Sequence, residues 1–213
     1  MDQEPVQIGT IERIVAYPVL NLQSSNMSGI PSVGISDEGM AGNALFVLLD
    51  CITGKRQRTF NLPTSYTLDF LKLAASIESG NGYAGSPGVY VHRDNSKHTA
   101  TSEEFERYLL HKFARSMVIM ENDQKGILTL ADANELRHHS GTLDESLNNP
   151  SNWANFYVDF KPAFIPKLME GQTLLLGNNV QARITGGKRP IYTAQIIPGK
   201  TGNVETLDAV YIL

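Results

Sequence analysis

The sequence predicts a mainly β fold with a few helices, and three observations carry that prediction. Short β-branched and apolar runs recur between turn signals along most of the chain. Only three stretches shift to helical spacing, at residues 67–78, 101–113 and 130–138. The chain ends on Val210, Tyr211, Ile212 and Leu213, an apolar close that places this terminus in the sheet rather than in solvent.

Taken in order, residues 8–17 are rich in Ile and Val and stop at Pro18, which reads as a strand followed by a break. Residues 21–29 are polar and read as a loop. Ile30, Val33 and Ile35 mark a strand over 30–36, ended by Asp37-Glu38-Gly39. Residues 45–49 are continuously apolar, as in a strand buried on both faces. Thr53-Gly54 turns that strand into another at 56–60, so the first third reads as a β-meander. Leu68, Leu71, Ala74, Ala75 and Ile77 then share a helical face. A glycine-rich loop at 80–88 leads to a short strand at 89–92.

Thr101, with Glu104 three residues later, forms a capping box for a helix carrying Phe105, Tyr108, Leu109 and Phe113. Residues 117–120 read as a strand, and 130–138 as a short helix closed by Ser140-Gly141. The polar, turn-rich stretch 142–152 reads as a mobile surface loop. Strands return at 156–160, at 174–176 and 180–185 across Gly177-Asn178-Asn179, and at 192–197. No repeat or dividing linker interrupts the pattern. Residues 1–213 are therefore expected to form one domain, with a meander segment over 8–62 and the remainder over 63–213.

Composition excludes several classes of function. The 213 residues are 41% hydrophobic and 19% charged, enough for one well-buried core. A net charge of -4 supplies no basic face, so neither nucleic acid nor an anionic membrane is expected as a partner. The dense basic run Lys55, Arg56 and Arg58 reads as a solvated hairpin. The single cysteine, Cys51, excludes an intramolecular disulfide and points to a reducing compartment. The opening Met1-Asp2-Gln3-Glu4-Pro5 is acidic with no apolar stretch behind it, unlike a signal peptide. No run approaches the ~20 apolar residues of a membrane span, so a cytoplasmic location is expected.

Two motifs suggest chemistry and lack its context. Gly80-Asn81-Gly82-Tyr83-Ala84-Gly85 matches the dinucleotide fingerprint, which needs a strand before it and a helix after it. Here a helical pattern precedes the glycines, and Pro87 with a short strand follows, so a connector is the better reading. His92, His98 and His111 are scattered, while His138 and His139 are adjacent at a helix end, where side chains diverge. No metal site is expected from them.

Several strings, in order, resemble the MOSC family, the C-terminal domain type of molybdenum-cofactor sulfurases. Ile11-Glu12-Arg13-Ile14-Val15-Ala16-Tyr17-Pro18-Val19 is similar to that family's opening strand and its Tyr-Pro-Val. Ser36-Asp37-Glu38-Gly39-Met40-Ala41-Gly42, then Leu45-Phe46-Val47-Leu48-Leu49-Asp50 and Thr53-Gly54-Lys55, resemble its next conserved stretch. Gly126-Ile127-Leu128-Thr129-Leu130-Ala131 falls where the family has a strand entering a short helix. Asn155-Phe156-Tyr157-Val158-Asp159, Gly171-Gln172-Thr173-Leu174-Leu175-Leu176-Gly177 and Ala182-Arg183-Ile184-Thr185 continue the series. The resemblance covers most of the chain and implies an antiparallel β-barrel.

It also implies a molybdenum-pterin cofactor held by basic residues and a cysteine, and those positions differ. Leu20 and Asn21 stand for Lys-Ser, Asn43 and Ala44 for Asp-Arg, and Trp153 for an Arg. Pro190, beside Arg189, stands for the cysteine. A first reading is therefore a MOSC-like barrel without the cofactor. It would bind a small organic molecule in the former cofactor cleft and catalyse a cofactor-independent cyclisation, isomerisation or elimination. Lys188 or Tyr192 would serve as acid, Asn43 or Asn155 would stabilise developing charge, and Tyr17, Trp153, Asn155 and Arg189 would bind substrate.

A second reading keeps the molybdenum cofactor for sulfur transfer or reduction of N-oxygenated compounds. It needs Cys51 to substitute from seven residues beyond Ala44, about 23 Å at strand rise. A third is a non-enzymatic binding or structural protein. An exposed strand edge would allow a homodimer.

Overall fold

The apolar runs pair as strands in the computed structural model, which describes residues 4–20, 22–24, 26–51, 74–78, 88–93, 96–99, 101–113, 116–163 and 168–213. In chain order the first strands are β1 Val6–Ile14, β2 Val19–Leu20, β3 Gln23–Ser24, β4 Ser32–Ser36, β5 Gly39–Met40 and β6 Phe46–Asp50. Then come β7 Ala74–Glu78, β8 Gly88–Arg93, β9 Ser96–Thr99, β10 Met117–Glu121, β11 Ile127–Asp132 and β12 Phe156–Phe160. The last are β13 Thr173–Leu176, β14 Val180–Lys188, β15 Ile191–Ile196, β16 Gly202–Glu205 and β17 Ala209–Ile212. The helices are α1 Glu103–Phe113, α2 Ala133–Ser140 and α3 Leu143–Ser146, with one 3-10 turn at Pro150–Asn152.

Two compact units form. The first comprises Met1–Ala16, Ser28–Ala41 and Gln124–Leu213, the second Tyr17–Met27 and Gly42–Asp123. In the first, seven strands close into a barrel in the order β1-β12-β11-β15-β14-β13-β17. The mainly β, barrel-forming fold class is therefore observed. Every neighbouring pair is antiparallel except β11 with β12. Closure satisfies both edges of each strand, and β17 completes it by pairing with β1 and β13. Alternate residues point inward, and Ile8, Leu128, Phe156, Leu174, Ile184 and Val210 fill the interior. A small sheet, β16-β4-β5, accompanies the barrel.

The parallel pair has a cost in chain length. Antiparallel neighbours join by tight hairpins, whereas parallel ones need a crossover. Residues 133–155 supply it, carrying α2, α3 and the 3-10 turn. Arg13 with Asp144 (2.6 Å) and Arg137 with Glu12 tie these helices to β1.

The second unit contains the sheets β10-β6-β2 and β3-β7-β8-β9. Its core joins Val19, Leu22 and Leu48 to the apolar face of α1, where Phe105, Leu109 and Phe113 are buried. No helix among the described residues is long and apolar enough to cross a membrane.

Six local expectations are corrected. The first third is not a meander: β1, β4 and β6 belong to three different sheets, because their apolar faces find distant partners. Residues 74–78 form β7 rather than the end of a helix, since pairing with β3 and β8 outweighs the strong helix propensity of Ala74 and Ala75. The segment 21–29 includes β3. Helix α2 starts at Ala133, because Leu130, Ala131 and Asp132 pair with β12. The stretch 142–152 carries α3 and the 3-10 turn. Thr142 and Glu145 make a capping box, and Leu143 and Leu147 are buried. At α1 the capping hydroxyl is that of Ser102, which accepts from the N–H of Phe105 (3.2 Å), and not that of Thr101. The expected strand at 56–60, the helix over 67–73, the glycine motif at 80–85 and the basic run at 55–58 lie outside the described residues.

Gly187 sets the hairpin between β14 and β15. Its φ is +95°, and a Cβ there would lie 2.5 Å from the carbonyl oxygen of Ile191 and 2.8 Å from Cα of Tyr192. Gly187→Ala is therefore expected to lower stability by at least ~1–2 kcal/mol for the backbone conformation alone. Urea unfolding of the variant measures it.

Candidate functional site

β11 ends at Asp132, where the chain turns directly into α2. The first N–H groups of a helix lack internal partners, and a carboxylate at this junction supplies them. Oδ1 of Asp132 accepts from the N–H groups of Asn134 (3.1 Å) and Glu135 (3.2 Å). The side chain is completely buried. Its second oxygen accepts from Nε of Arg189 at 2.9 Å. The backbone locks the same contact, since the N–H of Asp132 donates to the carbonyl of Pro190 at 2.8 Å.

Arg189 is also held from a second side. Its Nη2 lies 2.7 Å from Oε2 of Glu135, one turn into α2, and the other oxygen of Glu135 lies 3.2 Å from Nε2 of His139. One guanidinium thus sits between two carboxylates, one buried and one partly exposed. Nη1 of Arg189 has no partner among the described residues.

Tyr192 belongs to the same hairpin. Alternation along β15 buries Tyr192, Ala194 and Ile196, and the last two are part of the barrel core. Tyr192 therefore ends the interior column, its ring edge-on to Phe160 with centroids 6.4 Å apart. The residue is 6% exposed, yet its hydroxyl has no hydrogen-bond partner among the described residues. Burial pushes its pKa above the ordinary 10.0, and the charge of Asp132 adds to the rise. Arg189 opposes the shift and Glu135 reinforces it. At neutral pH this phenol is a donor and a proton source, not an anion.

The other expected residues are placed as follows. Lys188 is exposed at the end of β14. Trp153 is half-buried, and its indole N–H donates to the carbonyl of Leu147 at 2.8 Å. Asn155 is 4% exposed and joins strands. Its Oδ1 accepts from the N–H and hydroxyl of Thr129, both at 3.1 Å, and its Nδ2 donates to the carbonyl of Val15 at 3.2 Å. Tyr17 and Asn43 belong to the second unit, where Oδ1 of Asn43 accepts from the N–H of Tyr17 at 2.9 Å. Arg189 and Tyr192 are thus brought together in one hairpin with Lys188, while Asn155 and Asn43 hold backbone.

Asp132 and Glu135 are the site residues that sequence reasoning missed. The string Asp132-Ala133-Asn134-Glu135 carries the helix-start signature that would have revealed them. Elsewhere, His98 stacks on Tyr108 with centroids 5.4 Å apart, His111 and His138 are exposed, and Cys51 is exposed in the turn after β6. Among the described residues, no group of three or more His, Cys, Asp or Glu is arranged to hold a metal ion. No family model matches the chain, and no curated protein or solved structure matches it either.

Two outcomes follow from this geometry. Asn155→Ala removes three hydrogen bonds from a buried junction and is expected to cost about 2–3 kcal/mol, read from urea unfolding. Because the pKa of Tyr192 is raised in the native state, its contribution to stability is full below pH 10.0 and lost as pH rises through the native value. The tyrosinate absorbance that Tyr192→Phe removes should accordingly titrate above 10.0.

Proposed function

We propose that this chain is a MOSC-like barrel that has exchanged the molybdenum cofactor for a small organic substrate. Its reaction is of a cofactor-independent class: isomerisation, cyclisation or elimination. One observation carries the reading. The charge of Arg189 is already matched by Asp132 and Glu135, beside a buried, protonated Tyr192 whose hydroxyl has no partner among the described residues.

The molybdenum cofactor is a phosphate-bearing pterin, and such a group is bound through unpaired cations. The resemblance would have a cysteine beside Arg189, and Pro190 stands there. These residues do not fit that group. They suit an organic molecule that needs a hydrogen-bond donor and a proton at a stated atom. Oη of Tyr192 supplies both, against the apolar wall made by Phe160. Lys188, exposed beside the turn, is the second proton source within the hairpin.

Protein expressed in a host that makes the cofactor should carry no molybdenum by elemental analysis and show only the chain mass in native mass spectrometry. Stoichiometric metal with a pterin-sized added mass would reverse the reading. Conversion of a candidate substrate should fall by about two orders of magnitude in Tyr192→Phe if the phenol is the acid.

A further inference from the structure

We infer that Glu135 sets the charge selectivity of the barrel-end site, so that Arg189 and Tyr192 receive the carbonyl oxygen of an uncharged ligand and anions are turned away. This rests on the proposed small-molecule reading and names the chemistry of the ligand.

The donors come first. Tyr192 is more than nine-tenths buried and presents an O–H with no partner among the described residues. Leaving a buried donor unmade costs roughly 1–3 kcal/mol, so such a group is retained where something else accepts from it. Arg189 sits three residues earlier in the same hairpin, exposed, with Nη1 likewise without a partner among the described residues. Arg189 can only donate, and the protonated hydroxyl of Tyr192 has an O–H to donate. The matching ligand atom is an acceptor oxygen.

Charge then decides which acceptor. An arginine facing a pocket normally selects carboxylate or phosphate through a bidentate contact that uses two of its nitrogens. Here Nε is engaged by Asp132 and Nη2 by Glu135. Three of the five N–H donors of the guanidinium remain, so charge rather than donor count must do the selecting. Two negative charges face one guanidinium, so an incoming anion would meet repulsion that a neutral carbonyl does not. Lys188 is exposed, and water and salt screen it. The two acids have separate tasks. Asp132, completely buried, also holds the start of α2, whereas Glu135 is partly exposed and can be changed without opening the barrel.

Benzamide and benzoate, near-isosteres that differ in charge, separate the alternatives by ligand-observed NMR titration. Wild-type protein should bind benzamide at least about tenfold more tightly than benzoate, a difference of about 1.4 kcal/mol. Tyr192→Phe should weaken benzamide about fivefold, and Glu135→Gln should shrink the benzamide preference at least about tenfold by admitting benzoate. Thermal unfolding of each variant checks that the barrel persists. Benzoate binding as well as benzamide in the wild type, an unchanged preference in Glu135→Gln, or no detectable benzamide binding would each overturn the inference. Metal-free protein with any of those results loses the ligand class and keeps the small-molecule reading. Protein carrying molybdenum and a pterin loses both.

Discussion

A single parallel strand pair governs the rest of the first unit. Six of the seven barrel contacts are antiparallel and their strands can be joined locally, but β11 and β12 run the same way. The chain must therefore leave β11 at one end of the barrel and re-enter β12 at the other. That requirement places a helix start at the end of β11. A helix start presents unpaired N–H groups, and a buried one requires an acceptor. Asp132 answers it, and the remaining features of the site follow from having put a carboxylate there.

A completely buried carboxylate is costly unless its charge is met. Two helix N–H groups satisfy one oxygen of Asp132, and Arg189 satisfies the other. The turn at Arg189-Pro190 brings the guanidinium to the end of β11, while the N–H of Asp132 holds the carbonyl of Pro190. Glu135 then takes up a second guanidinium nitrogen. Burial raises the pKa of the neighbouring phenol of Tyr192 above its ordinary 10.0, and the charges of Asp132 and Glu135 add to the rise. A topological demand thus becomes an electrostatic one, met at the end of β11 by Asp132 and Arg189.

The strands of this fold were legible and their partners were not. Apolar runs between turn residues mark 30–36, 156–160, 174–176, 180–185 and 192–197, and a strand forms in each. Nothing local indicates that β1 pairs with β12 and β17 instead of its neighbour, because that choice depends on which distant apolar faces fit. Residues 142–152 show the opposite failure. Polar composition suggested a loop, although Thr142 with Glu145 spells a helix start and Leu143 with Leu147 shares one face. Arg189 and Tyr192 could be read as polar groups in an apolar hairpin. Asp132 was hidden because a helical pattern begun at Leu130 places it mid-helix, where an aspartate attracts no notice.

Hydrogen-bond satisfaction separates two buried polar centres of the barrel unit. Asn155 and Asp132 both lie against β11, both are buried, and both carry side-chain oxygens that accept twice or more. Around Asn155 the bonds run from the side chain to the backbone and hydroxyl of β11 and to the end of β1, so the group acts as a rivet. Around Asp132 the acceptors are likewise filled, but its neighbours Arg189 and Tyr192 each retain a donor without a partner among the described residues. Burial alone would rank the two centres as equals. A buried polar group that is fully bonded holds the fold, and one that leaves donors over is placed for something that accepts. By that criterion the proposed site lies at the end of β11, where α2 begins.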